Sequence, residues 1–369
     1  MTLRPLSCVV LAAGEGTRMR SARPKPLHLL CGRAMLLHII DALADLEVDR
    51  AVIVVGHGAE RVTKKLVEHG PAHLHIDFVE QSVQRGTGDA LMVALTSFPD
   101  DDLDGGDVDG GDLLVVPGDS PLLRAATLAR LVASHRQDEA AATLLSARVP
   151  DPTGYGRVVR GRHGEVRRIV EEVEATAEET AIDEVATSIY CFRRSLLAPA
   201  LRRLTPENSQ GEYYLTDVVA VLAEAGYRVG TLVADDPMEA VGVSDRAQLA
   251  AAEAELRRRI NQRWLALGVT MLDPARTYVE SGVRLAPDVT LFPGTFLQGH
   301  TTIGEGAEIG PDTRLVDCAV GPGAVVANSV GTEAEVGAGA RVGPFAYLGP
   351  AAAVPAGAVT GPFYTATQR

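Results

Sequence analysis

With 369 residues the chain is long enough for two domains and a sizeable core. Its 48 acidic residues outnumber 35 basic ones, and the formal net charge of -13 excludes a protein that coats nucleic acid or an anionic lipid surface, because either partner demands a basic face. The cysteines Cys8, Cys31, Cys191 and Cys318 have no CxxC or His/Cys ligand spacing, and no stretch approaches the ~20 apolar residues of a membrane span, so reduced, packed thiols in a cytoplasmic protein are expected.

The first apolar run, SCVVLAAG (7–14), reads as a buried strand too short for a secretion signal. It runs into Leu11-Ala12-Ala13-Gly14-Glu15-Gly16-Thr17-Arg18-Met19. A dinucleotide fingerprint wants a third glycine where Met19 stands, and a P-loop wants a Gly-Lys-Ser/Thr end that is absent. What remains is a glycine loop after a strand, whose bare amides can approach phosphate closely. Arg18 and the Pro24-Lys25-Pro26 segment add cations: Arg offers a planar fork to phosphate oxygens and Lys a point charge.

AMLLHIIDALADL (34–46) reads as an amphipathic helix, RAVIVVGHG (50–58) and HIDFVEQ (75–81) as buried strands. DDDLDGGDVDGGD (100–112) matches no calcium template and is expected to be a solvated loop. DLLVVPGDS (112–120) is a strand that delivers Asp119 at its C-terminal end, where open α/β sheets bind ligands; a hard carboxylate there suits Mg²⁺, with a helix cap as the plainer alternative. TLARLVASHR (127–136) is helical and ATSIYCF (186–192) a strand. Short buried strands alternating with helices predict an α/β domain, a mostly parallel, Rossmann-like sheet covered by helices, over 1–245.

Residues 246–267 form one long helical pattern, read as a connector. Beyond it Leu285, Leu291, Leu297, Ile303, Ile309 and Leu315 recur every six residues. Val330, Val336, Val342, Leu348 and Val354 resume the period after a phase slip. A six-residue period marks hexapeptide repeats, so 268–369 is expected to form a short left-handed parallel β-helix of roughly four coils.

The run LAAGEGTRM…PKPLH resembles the signature of sugar-1-phosphate nucleotidyltransferases, and most of all the uridyltransferase half of the bifunctional bacterial family that also acetylates glucosamine 1-phosphate. The likeness continues through Gln81, Gln84-Arg85-Gly86-Thr87-Gly88, Gly118-Asp119, Asp151-Pro152-Thr153-Gly154-Tyr155-Gly156-Arg157, Ile169-Val170-Glu171, Gly211-Glu212-Tyr213-Tyr214-Leu215-Thr216-Asp217, Gly242-Val243 and the hexad tract. The resemblance implies transfer of a nucleotidyl group from an NTP, UTP favoured, to a sugar 1-phosphate, with Mg²⁺ as cofactor and a homo-oligomer, trimer favoured. It places Leu11, Ala12, Ala13, Gly14, Gly16, Thr17, Gln81, Gly86 and Thr87 at the nucleotide. Arg18 and Lys25 fall at the triphosphate, where the plainer reading is solvated cations. Gly154, Glu171, Tyr214 and Thr216 fall at the sugar, although Glu171 also reads as one more acid beside Glu172 and Glu174. Asp119 is the implied main metal ligand.

Three departures bear on that implication. The family has Asn-Thr-Gly where this chain has Ala186-Thr187-Ser188, and Gly-Val-Asn-Asn where it has Gly242-Val243-Ser244-Asp245, so Ser244 or Asp245 would complete the metal site. Pro117 replaces a residue that is usually aromatic or polar. These changes support a second reading, the same chemistry on another sugar or cyclitol phosphate or with another NTP. A non-catalytic sugar-nucleotide regulator is disfavoured by the intact Arg18, Lys25 and Asp119. Tyr347 stands where the resemblance calls for an Arg of acetyl transfer, and no acetyltransferase activity is expected.

Overall fold

The computed structural model describes residues 4–98 and 110–366. The acidic glycine-rich run therefore lies outside the described residues except for its last three, of which Asp112 is buried and opens a strand. The chain divides into two compact units. One takes the residues up to His28 with Ala34–Leu249, the other Leu29–Arg33 with the residues from Ala250 onward.

The first unit is built on a nine-stranded sheet. Its main order is Val229–Val233, Ala142–Arg148, Glu184–Arg193, Asp112–Pro117, Leu6–Leu11, Arg50–Val55 and Ile76–Glu80. Strand Leu6–Leu11 runs parallel to both neighbours, while Glu184–Arg193 is antiparallel to all three of its partners. The apolar runs are continuous because both faces are covered: Cys8, Val10, Ile53 and Leu114 enter one core cluster, Val9, Val52, Leu113 and Val115 the other. Helices Met35–Ala44 and Ala125–Gln137 stand where the periodicity predicts them. Desolvation works to raise the pKa of buried Asp112, but His135 Nε2 at 3.6 Å, Arg136 Nε at 2.7 Å and Arg4 Nε at 3.1 Å from its carboxylate together hold it below the usual aspartate value.

The second unit stacks short parallel strands into three sheets of five, six and five strands, consistent with a left-handed β-helix and one coil more than the hexad count suggested, because Thr270–Met271 and Thr277–Val279 open two of the stacks. Leu291, Leu297, Ile303, Ile309 and Leu315 are buried inside, and the threonines that accompany them bond to backbone, as Thr295 Oγ1 does to Phe292 O at 2.7 Å. One reading of the repeat is corrected. Val330 faces out, 43% exposed, and Gly331 takes the inward place. Coil length changes along the stack: Leu291 pairs with Ile309, 18 residues on, Ile303 with Val320, 17 on, and Leu315 with Gly331, 16 on. Three inward steps thus shrink from six residues to five, and Val320 and Val326 hold inward places inside the apparent slip. Leu315 and Cys318 fill the space Gly331 leaves, within 3.0 and 3.2 Å of where its Cβ would be. The four cysteines are free and buried.

Candidate active site

The end of strand Leu6–Leu11 sets the floor of the site. Ala12 N bonds to Val54 O at 2.9 Å and Gly118 N to Leu11 O at 2.7 Å, so the two chain segments that leave the parallel strands stay in register past their ends. Gly118 is required there, since a Cβ would lie 2.8 Å from Ala12 Cβ. Gly16 is required on two counts: its φ is +66°, and a Cβ would meet Lys25 Cβ at 2.7 Å. Met19, the residue that ruled out a dinucleotide fingerprint, is buried and pins the following turn, and Arg246 Nε braces Met19 O at 3.1 Å.

A cleft of about 340 Å³ opens above this floor. Its walls include nine predicted residues: Leu11, Ala12, Ala13, Gly14, Lys25, Gln81, Gly86, Thr87 and Asp119. Lys25 Nζ donates to Asp119 Oδ2, both side chains being mostly buried. Asp119 is not a helix cap, because the next helix begins at Ala125 with Arg124 at its N-cap position. Asp119 raises the pKa of Tyr155, after the larger effect of burial. Gly16, Thr17 and Arg18 do not line the cleft, and neither do Gly154, Glu171, Tyr214, Thr216, Ser244 and Asp245; Thr17 and Arg18 are exposed.

Gln81 is buried, and both hydrogens of its amide are engaged, by Gly86 O at 3.2 Å and Asp89 Oδ2 at 2.7 Å. A carboxylate cannot donate, so Asp89 fixes which way the amide faces and leaves its oxygen as the free acceptor. Gly86 has φ +103° and a Cβ there would lie 2.6 Å from Tyr213 O. That close approach is part of a seam: Tyr213 N bonds to Arg85 O, Gly88 N to Tyr213 O, and Leu215 N to Thr87 Oγ1. Through this seam the segment carrying Tyr214 and Thr216 is tied to the segment carrying Gly86 and Thr87.

Thr216 Oγ1 donates to Glu171 Oε1 at 2.9 Å. Glu171 precedes the single turn Glu172–Glu174, so the alternative of a charged helix holds for its neighbours and not for Glu171, which is turned inward. Burial pushes its carboxyl above the ordinary glutamate range, the Thr216 bond pulls it back, and the charges of Asp217 and Glu212 push it further up. Tyr214 is raised in turn, by burial first and then by Glu171. Tyr190 lies fully buried with its hydroxyl unpartnered, and the Glu171 charge adds to the effect of burial on it. Gly154 is exposed and its N–H donates to Glu172 rather than to Glu171.

Around Asp119 the other predicted metal positions separate. Val243 N bonds to Asp119 O at 2.8 Å, and a Cβ on Gly242 would lie 3.3 Å from Asp119 Oδ1, so a glycine keeps the carboxylate open on that side. Asp245 Oδ1 accepts from Gln248 N at 2.8 Å and caps the helix Arg246–Ala266, while Ser244 N donates to Gln248 Oε1. Among the described residues no group of three or more His, Cys, Asp or Glu side chains could enclose a metal.

The cleft also contains residues that the sequence reading did not single out: Gln84, whose amide donates to Ala13 O at 2.7 Å, Ser188 and Glu212. Gln84 and Glu212 lay within quoted motifs; Ser188 carried a signal only as a departure from one. No helix among the described residues is long and apolar enough to cross a membrane.

The chain is 47% identical over 362 residues to the bifunctional protein GlmU of Streptomyces avermitilis, covering 98% of this chain and 73% of that protein. It is 47% identical to the GlmU proteins of Thermobifida fusca, over 90% of this chain and 68% of the relative, and of Streptomyces coelicolor, over 94% and 70%. The nucleotidyl transferase family matches residues 7–268, which take in the glycine loop, the Lys25–Asp119 pair, the Gln81 turn and the Glu171–Thr216 wall, and this chain therefore belongs to the nucleotidyl transferase family.

Proposed function

We propose that this protein joins a nucleoside triphosphate to a sugar 1-phosphate, with UTP and N-acetylglucosamine 1-phosphate as the favoured pair. A phosphate oxygen of the sugar attacks the α-phosphorus, and pyrophosphate leaves. Two polyanions must meet while charge builds on the phosphoryl oxygens, so the catalyst has mainly to position and neutralise. The observation that carries this reading is the Lys25–Asp119 pair set directly beside the glycine loop in one cleft with Gln81, Gly86 and Thr87.

In this reading the Gly14 loop amides and the start of helix Thr87–Leu95 receive the nucleotide, Lys25 swings its charge from Asp119 to the phosphates, and Arg18 closes over them from the exposed turn. The free oxygen of Gln81 accepts from the base, which suits the N3–H of uracil. Glu171, Thr216 and Tyr214 form the sugar wall, and Gly154 borders it. Asp119 suits Mg²⁺, which is commonly held by one or two carboxylates completed by waters and phosphates, and Gly242 leaves room for that shell. When bound, Mg²⁺ would offset phosphate charge. Asp245 is engaged as a helix cap, so Ser244 is the better candidate to help Asp119. Glucosamine 1-phosphate acetylation is not expected, on the strength of Tyr347. A cytoplasmic location fits four buried free thiols, and trimeric assembly through the β-helix is our expectation for the oligomer.

Ala186, buried and without a polar side chain, favours a second reading with another sugar or cyclitol phosphate. Both are tested by measuring pyrophosphate release with Mg²⁺, each NTP and a panel of sugar 1-phosphates. Release confined to UTP and N-acetylglucosamine 1-phosphate removes the second reading; no release with any pair removes both.

A further inference from the structure

Strand Glu184–Arg193 is buried from Glu184 to Phe192 with one exception, Ser188. The cause is a bulge: Ala186 faces Ser146 and Ile189 faces the next residue, Leu145, so Thr187 and Ser188 pass without partners. Thr187 turns inward, and its hydroxyl donates to Leu145 O at 2.7 Å, pinning the bulge. Ser188 turns outward into the cleft that holds Lys25 and Asp119. Its φ is +60°, in the left-handed region where glycine would sit without strain. A glycine would serve the fold better at this position, yet the chain places a hydroxyl there, and residues held in sparsely populated backbone regions cluster at ligand sites.

The bulge is also tied to the sugar wall. Ala186 N bonds to Gly156 O at 2.8 Å, and a Cβ on Gly156 would come within 3.6 Å of Glu171 Oε2. Ala186 offers that wall only a methyl group, and the Thr187 hydroxyl is engaged, so Ser188 carries the bulge's free hydrogen-bonding group.

We propose that Ser188 is a sugar-binding residue whose hydroxyl, presented by the strained bulge, hydrogen-bonds a hydroxyl of the sugar 1-phosphate and supplies the polar contact that Ala186 lacks. The proposal rests on the nucleotidyl-transfer reading above. Its test uses Ser188→Gly, because the structural and binding roles then predict opposite outcomes. Relief of strain alone leaves kinetics unchanged and raises the melting temperature. Loss of a binding hydroxyl raises KM for N-acetylglucosamine 1-phosphate, or whichever sugar phosphate the wild type turns over, about fivefold, the size of one neutral hydrogen bond. KM for UTP should move less than twofold and the melting temperature should not fall. Ser188→Asn, which tolerates the left-handed region and keeps a donor, should recover most of the loss. Unchanged sugar KM in Ser188→Gly, or a shift confined to UTP, overturns the proposal while wild-type turnover keeps the parent reading standing. A wild type without turnover on any pair removes the parent reading instead, and this one with it.

Discussion

The regions proposed to hold the nucleotide and the sugar are built on different principles. At the nucleotide end the groups that shape the site are already bonded: Gln81 to Gly86 and Asp89, Gln84 to Ala13, Gly118 to Leu11, Lys25 to Asp119. Glycines are required there by close backbone approach. The sugar end relies on side chains with unsettled valences. Glu171 is a desolvated carboxylate with one hydroxyl donor and Ser188 stands in strain, while the unpartnered phenol of Tyr190 is sealed in the core behind them. A pre-bonded backbone site has little freedom to change its ligand, whereas a wall of under-bonded side chains waits for a ligand to complete it. The departures at Ala186 and Ser188 fall on the second kind of surface.

The sharpest way to break this contrast is at the pair that joins both ends. Asp119→Ala should lower kcat by roughly a thousandfold with the fold intact by circular dichroism, a loss of the scale seen when transition-state charge stabilisation is removed; near-normal turnover would show that Asp119 serves Lys25 alone. Next comes Glu171→Gln, expected to raise sugar KM roughly tenfold through loss of a charged acceptor while sparing KM for UTP. Because the folded-state pKa of Glu171 is raised, its carboxylate is protonated sooner as pH falls than an ordinary glutamate would be. Wild-type sugar KM should therefore climb with falling pH from above the usual glutamate range, and the Gln variant should lose that dependence. The linkage has a stability side. The native state holds this proton more tightly than the unfolded chain, so stability from Glu171 is present below the ordinary pKa and is lost as pH rises through the raised one.

A smaller effect probes the nucleotide end. Asp89→Ala leaves Gly86 O as the only partner holding the Gln81 amide, and the preference for UTP over CTP should fall about tenfold as the amide turns over and offers its N–H to the cytosine N3. An unchanged ratio would mean that Gly86 suffices. Smallest of all, Tyr190→Phe removes an unpartnered buried hydroxyl and should raise the melting temperature by about 1–3 °C; a fall would reveal a partner for the phenol.

Much of the nucleotide end could be read in the chain because its logic is local. Glycines at strand ends, a carboxylate after a run of valines and a proline-flanked lysine are contiguous signals, and nine residues assigned on them or on the family resemblance line one cleft. Arg18 and Thr17 sat in the same motif but lie outside that cleft, since Gly16 in the left-handed region turns the chain away before them. The sugar end depends on long-range pairing. That Glu171, and neither Glu172 nor Glu174, would accept a bond from Thr216, 45 residues later, could not be read locally. A two-residue bulge has no signature in a strand of apolar residues, so Ser188 registered only as a deviation. In the β-helix the strict hexad was visible, but a step of five residues is indistinguishable from a slip until the inward positions are seen, which is how Val330 was misplaced. Leu29–Arg33 belongs with the second unit through Cys31 N, which bonds to Glu253 Oε2 at 2.8 Å, a contact across 222 residues that no local pattern encodes.

The seam between the Arg85–Gly88 turn and the Tyr213–Leu215 segment has one more consequence. Two of its three bonds run from main chain to main chain, Tyr213 N to Arg85 O and Gly88 N to Tyr213 O, and only the third depends on a side chain, that of Thr87. Mutation rewrites side chains and leaves peptide groups in place. Substitution at Ala186 or Ser188 would therefore leave the backbone bonds that align these two segments in place.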